Sequence, residues 1–184
     1  MSDPALEREH AWIVQAQCGD RQAFGELVRR YREGVITIIY RMCGDAGLAE
    51  DAAQEAFVRA WQHLPNYRHQ SPFRNWLYRI ALNVMRDTLR REREMADVDE
   101  LPLIAPDEGP EAAVEWAERQ ERVRRAVLAL PAISRAVLIL REYEGLTYRE
   151  IADTLGIPIG TVMSRLSTAR DRLRESLAPY LEAR

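Results

Sequence analysis

The chain has 184 residues, 47% hydrophobic and 30% charged, enough for one large domain or two small ones with a buried core. Its formal net charge of −3 taken as an average speaks against a polyanionic partner, although every one of its 26 basic residues is Arg, a planar fork suited to carboxylates, phosphates and base edges. Two lone thiols (Cys18, Cys43), no basic-then-apolar start and no apolar run near about 18 residues argue against a disulfide scaffold, a signal peptide and membrane insertion, and so for a soluble protein of the reducing cytoplasm.

Asp3-Pro4 starts a first helix that Gly19 ends, and Asp20 caps a second that runs to about Met42 and is closed by Gly44. A third is predicted from about Leu48 to Leu64, stopped by Pro65. A fourth opens near Pro72 and continues to about Glu94. The stretch 95–111 carries Pro102, Pro106 and Pro110 among like charges, which oppose helix and compact packing, so it reads as an extended linker. Further helices are predicted near 111–129, 133–144, 148–155 and 160–178, separated by Pro131, Gly145 and the Gly156–Pro158 turn. No alternating strand pattern is present. The expected fold class is all-α, with two small helical domains at 1–94 and 113–184 joined by an acidic, Pro-containing linker at 95–112.

Charge is distributed in blocks. Residues 61–94 hold seven Arg against three acids, and 119–140 hold five against one, so each is net +4. Between them, 95–118 has eight acids and no Arg. The bland average hides two basic segments on either side of an acidic one.

The third helix has two faces. Ala49, Ala52, Ala53, Ala56, Phe57, Ala60, Trp61 and Leu64 follow i, i+3, i+4, i+7 spacing and form an apolar stripe. Asp51, Gln54, Glu55, Val58 and Gln62 line another face, which is either solvated surface or a dock for an Arg-rich partner. On the fourth helix, Arg79, Asn83, Arg86, Arg90 and Arg93 fall within an arc of about 80° at the α-helical period, with Trp76 at its border and Leu77, Ile80, Ala81, Val84 and Thr88 opposite. That face is either a plain basic surface with Trp76 in the core or a site for unpaired nucleic acid, since Arg meets phosphate and rings stack on bases. The loop Asn66-Tyr67-Arg68-His69-Gln70-Ser71 before it is a polar turn or the lining of a flipped-base pocket.

Residues 147–168, TYREIADTLGIPIGTVMSRLST, carry a helix-turn-helix pattern. Thr147 and Glu150 make a capping box, Ile151, Ala152 and Leu155 face inward, Gly156 turns the chain and Ile157 plugs the corner. Val162, Leu166, Ala169, Leu173 and Leu177 form the buried stripe of the second helix. Thr161, Ser164 and Thr168 point outward, flanked by Met163, Arg165, Ser167 and Arg172, a set suited to phosphate and base-edge contact.

These motifs together resemble the extracytoplasmic-function sigma factors, short bacterial initiation factors with sigma domains two and four. DAAQEAFVRAWQHLPNYR (51–68) resembles the family's core-polymerase-binding helix, and SPFRNWLYRIALNVMRDTLRR (71–91) its −10-element helix. LPAISRAVLILREYEGLTYREIADTLGIPIGTVMSRLSTARDRLRE (130–175) is similar to its domain four. The resemblance implies that Asp51, Gln54, Glu55 and Arg59 face core RNA polymerase. It further implies that Asn66, Tyr67, Arg68 and Ser71 serve capture of a flipped base, and that Trp76, Arg79, Asn83 and Arg86 handle the melting −10 region. Thr161, Ser164, Arg165, Ser167, Thr168 and Arg172 would read the −35 duplex of promoter DNA, the linker would thread toward the polymerase cleft, and an anti-sigma factor would restrain the protein. The family usually carries a cation at the position of Met163 and often Arg at that of Thr168, so two cationic contacts are missing here. Arg165, Arg170 and Arg172 remain to meet phosphates.

The alternative is a stand-alone helix-turn-helix regulator with an N-terminal sensor or dimerisation domain, but a sensor needs neither the acid-amide face nor the Arg-Asn-Trp helix. Enzyme chemistry has no support. His10, His63 and His69 have no metal-ligand spacing, and no phosphate loop, nucleophile elbow or paired-acid arrangement occurs. No catalytic residue, metal or cofactor is expected.

Overall fold

The structure, a computed structural model, describes residues 4–95 and 111–181. Those residues form eight α-helices: α1 (Pro4–Gln17), α2 (Arg21–Cys43), α3 (Ala46–His63), α4 (Phe73–Met95), α5 (Glu111–Leu128), α6 (Ala132–Glu142), α7 (Tyr148–Leu155) and α8 (Ile159–Leu181), with a 3₁₀ turn at Leu64–Asn66 after α3. No strand occurs among them, as the sequence pattern predicts. The acidic segment read as a linker lies outside the described residues from 96 to 110. The chain divides into two compact units, one built on α1 to α3 and on α4 up to Met85, the other on Arg41–Gly44 and the residues from Arg86 onward.

In the first unit the alanine stripe of α3 is buried at Ala49, Ala52, Ala53, Ala56 and Ala60, with Phe57 and Trp61 half-buried beside it. Small side chains let neighbouring helices approach closely, so the remaining core volume comes from Leu27, Val35, Ile38 and Ile39 of α2 and from Leu77, Val84 and Met85 of α4. Gly34 marks one such approach. A Cβ added there would sit 2.9 Å from the Tyr78 hydroxyl of α4. α3 begins two residues earlier than the periodicity predicts, because Asp45 Oδ1 accepts the Leu48 N–H at 2.8 Å and caps the first turn, a contribution of about 1 kcal/mol. Asp20 does the same for α2, accepting from Gln22 and Ala23.

In the second unit α6 is the central helix. Every residue from Ser134 to Leu140 is buried, α8 and α7 pack against it, and α5 packs on α8. Its Arg135 turns a buried guanidinium to the Leu128 and Leu130 carbonyls, satisfying acceptors that α5 leaves unpaired where it ends. The capping box at Thr147 and Glu150 is complete in both directions, and Gly156 ends α7 at φ 65, a left-handed conformation that a side chain would strain. α8 runs past the predicted end at 178, through Pro179, to Leu181.

Candidate nucleic-acid interface

α4 is anchored by its first turn. The Pro72 carbonyl accepts from Asn75 and Trp76, Phe73 is buried, and Leu77, Ala81, Val84 and Met85 face the core. With that face fixed, Arg79, Arg86 and Arg90 stand exposed on the other, and Asn83 lies half-buried between them. Arg86 is held only loosely, its Nε 4.0 Å from Asp87 Oδ1. A row of guanidiniums at helical spacing can run along a phosphate backbone without changing the fold.

The loop entering α4 is built from below. Tyr67, Phe73 and Trp76 form a ring cluster with centroids 5.0 to 5.7 Å apart, and Tyr31 of α2 joins it at 5.5 Å from Phe73. The Tyr67 hydroxyl donates to the Ser71 carbonyl at 2.6 Å and so closes the loop on itself. Burial, with the Glu9 charge adding to it, pushes that hydroxyl up to about 12, so it keeps its proton at any physiological pH. Tyr67, expected to contact nucleic acid, is mostly enclosed by its neighbours. It is only 7% exposed, because its ring does more as cluster filling than as a surface group. Asn66, Arg68, His69 and Gln70 form the exposed tip, with Ser71 half-buried, and His69 takes φ 54, uncommon for a residue with a side chain. Trp76 is half-buried with its ring packed in the cluster, at the border between core and the Arg face.

Several residues that support this loop carry no motif. Gln17, the last residue of α1, donates its side-chain amide to the Leu64 carbonyl at 3.1 Å and the Tyr67 carbonyl at 2.8 Å. His10 packs its ring 5.2 Å from that of His69. Glu9, buried, accepts from the Tyr31 hydroxyl at 2.7 Å and pairs with Arg30 at 2.9 Å, and burial together with that carboxylate raises the Tyr31 hydroxyl well above its ordinary value. α1 is thus a brace for the loop some 50 residues later. No local pattern announces an amide meeting carbonyls at that separation, so sequence reading passes over it.

On α3, Asp51, Gln54, Val58 and Gln62 are exposed, and Glu55 and Arg59 are joined by an i, i+4 ion pair on the same side. Val58, at 56% exposure, is an apolar spot within this polar face.

In the second unit, Ile151, Val162, Leu166 and Ala169 bury the inner faces of α7 and α8. Met163, Ser164, Arg165, Ser167, Thr168 and Arg172 are exposed and Thr161 half-buried, so the residues expected to meet duplex DNA share the outer side of α8. Arg170 is committed elsewhere. It reaches Glu142 of α6 at 2.6 Å, and that bond holds its proton still more firmly. Among the described residues no group of His, Cys, Asp or Glu is placed to hold a metal ion, and no helix is long and apolar enough to cross a membrane.

An aromatic-backed loop ahead of a basic helix face, with a helix-turn-helix later in the same chain, defines a class of protein that handles both opened and duplex DNA. Comparison with known proteins assigns it. The Sigma-70 region 2 family matches residues 27–95 and the Sigma-70, region 4 family matches residues 120–173. The RNA polymerase sigma-H factor of Pseudomonas aeruginosa is 37% identical over 95% of this chain and 96% of its own length. The ECF RNA polymerase sigma factor SigW of Bacillus subtilis is 35% identical over 90% and 94%. Among solved structures, CnrH in complex with the cytosolic domain of CnrY superposes with a TM-score of 0.70 at 29% identity, over 94% of this chain and 98% of that one. The chain belongs to the extracytoplasmic-function family of RNA polymerase sigma factors. Matches to both regions in order along one chain disfavour the stand-alone regulator.

Proposed function

We propose that this protein is a promoter-specificity subunit that works in the cytoplasm, binds core RNA polymerase, and has no catalysis of its own. Residues 1–94 act as sigma domain two, 113–184 as sigma domain four, and 95–112 as the acidic connection between them. Asp51, Gln54, Glu55 and Arg59 form the polymerase-docking face around exposed Val58, an apolar centre with a polar rim. The loop tip at Asn66, Arg68 and Ser71 takes an unpaired base, Tyr67 holds the loop in shape, Trp76 supplies a ring edge, and Arg79, Asn83 and Arg86 follow the −10 strand. Thr161, Ser164, Arg165, Ser167, Thr168 and Arg172 face the −35 duplex. The similarity to CnrH, solved with the cytosolic domain of CnrY, supports restraint by an anti-sigma partner.

The observation that carries this reading is the braced loop beside the Arg face of α4. A duplex-only regulator has no use for a braced loop at the edge of a basic helix, whereas capture of an unpaired base is served by one. The test is run-off transcription by the full chain with bacterial core polymerase on a mixed promoter library. Transcripts with defined starts are expected. The Arg79→Ala, Arg86→Ala double variant should lower open-complex formation about tenfold or more, through lost phosphate contacts, while binding core polymerase normally. Equal loss of both activities would remove α4 from strand opening, and no transcription at all would return the chain to the duplex-only regulators.

A further inference from the structure

The first two turns of α8 show an uncommon surface for a helix that meets a polyanion. Ile159 is 50% exposed and Met163 54%. Four residues apart, they lie one above the other on one helix face. α8 cannot roll to bury them, because Val162, Leu166 and Ala169 are already in the core and would be turned out to water. The hydroxyls beside them are directed inward as donors: Ser164 Oγ donates to the Thr161 carbonyl at 3.1 Å and Thr168 Oγ1 to the Ser164 carbonyl at 3.0 Å. A hydroxyl has one hydrogen, so both oxygens are left outward only as acceptors. The outer side of this helix start thus carries an apolar pair, with exposed Ser167 one turn on from Met163 and the Ser164 acceptor on the adjoining side.

Base-pair edges in the major groove offer donors, acceptors and one apolar group, the thymine C5 methyl. A cation at position 163 would suit guanine O6 and N7. A flexible, polarizable thioether matches the methyl instead. We propose that Met163, with Ile159 beside it, packs on thymine C5 methyl groups of the −35 duplex and makes thymine the preferred base there, a role that rests on α8 being the −35 reader. Ser164 contributes an acceptor on the adjoining side of the helix, and Arg172 contributes charge without sequence preference.

The test uses the full chain with core polymerase on promoters selected from a library randomised across the −35 region. Each selected thymine is then replaced by deoxyuridine, which removes the methyl and nothing else. Thymine is expected at one or two adjacent positions, and deoxyuridine there should weaken holoenzyme binding about fourfold per methyl. Met163→Ala should bind the two templates equally. Met163→Leu, which keeps an apolar contact, and Arg172→Ala, which leaves it untouched, should both retain the fourfold ratio. Side chain 163 is more than half exposed, so these variants keep the fold, which a thermal melt verifies. Failure separates cleanly. If the −35 sequence has no influence on binding, α8 is not the reader and the function assigned to it falls. If the −35 sequence matters but thymine is not selected, deoxyuridine is equivalent to thymine, or the ratio survives Met163→Ala, the methyl contact is overturned while −35 reading stands.

Discussion

The loop before α4 and the outer side of α8, both proposed to meet DNA, are built in opposite ways. The loop is held by distant parts of the chain: Gln17 on the Leu64 and Tyr67 carbonyls, Tyr31 and Phe73 under Tyr67, and a residue at φ 54 at its tip. α8 is placed by neighbours in sequence, through a capping box, a left-handed glycine and a buried stripe on its own inner face. The difference matches the substrates. An unpaired base has no rigid partner to organise it, so the protein supplies the rigidity. A duplex arrives already ordered, so a helix with free side chains on one side is enough.

The loop depends most on Phe73, whose ring touches Tyr31, Tyr67 and Trp76 and is almost fully buried. Phe73→Ala should cost about 3–5 kcal/mol of stability in the first unit. Denaturant unfolding of the full chain, with probes in each unit, should show the first transition moving and the second unchanged. A loss below about 1 kcal/mol would mean that the ring cluster does not hold the loop.

Gln17→Ala is milder and more selective. It strips a donor from two carbonyls at a half-buried site, a cost of about 1–3 kcal/mol that falls on the loop before it falls on the core. Fluorescence of a base analogue placed in the −10 element should report slower or weaker strand opening. Affinity for core polymerase and for the −35 duplex should stay as in the parent protein. Gln17→Glu, which turns an acceptor toward the two carbonyls, should be at least as defective, whereas a purely space-filling role for Gln17 would leave it near normal.

How much of this was legible depends on the range of the forces involved. The helices, the alanine stripe of α3, the Arg face of α4 from Arg79 to Arg90 and the α7–α8 pair all follow from periodicity and capping, which act over one to seven residues, and the structure has them within a few residues of where the pattern puts them, while the Arg93 side chain lies outside the described residues. The start of α3 departs from the apolar pattern because the Asp45 cap draws the helix back to Ala46, ahead of the stripe that begins at Ala49. The brace from α1 was illegible: Gln17 and Tyr67 meet only because α1 packs against the turn that follows α3. Tyr67 shows the same limit from the other side. As a letter it is an aromatic in a polar loop, and only the packing of Phe73 and Trp76 makes burying it more favourable than displaying it. Arg170 likewise reads as a spare cation on α8 until Glu142 of α6 is seen beside it.

A smaller effect isolates the local construction of the second unit. Thr147→Ala should destabilise α7 by about 1 kcal/mol, because Thr147 accepts the Glu150 N–H while the Glu150 carboxylate takes the Thr147 N–H. Adding Glu150→Ala should cost less than the two losses taken separately, since each half of the box orients the other. Full additivity in thermal melts would show two independent caps and no box.

The smallest expected effect separates the two units by pH. In the second unit, hydrogen bonds from Arg124, with help from Arg125, hold the Glu121 carboxyl at about 2, against a usual value near 4.5. Its proton is bound more weakly in the folded state than in the unfolded chain. Its stabilisation is therefore complete above about 4.5 and is lost as the pH falls toward 2. In the first unit the sign is reversed: Tyr67, pushed up to about 12, binds its proton more tightly when folded, so its contribution is complete below about 10 and is lost as the pH rises. Acid should thus unsettle the unit carrying Glu121 and alkali the unit carrying the loop. The acid effect is the weaker, because Arg125 is half exposed and solvent screens the pair. Melting temperatures of the parent, Glu121→Gln and Tyr67→Phe chains across both pH ranges check it. Glu121→Gln should lessen only the acid limb and Tyr67→Phe only the alkaline one, where Tyr31 carries the remainder. Movement of both limbs by either substitution would mean that the units do not titrate independently.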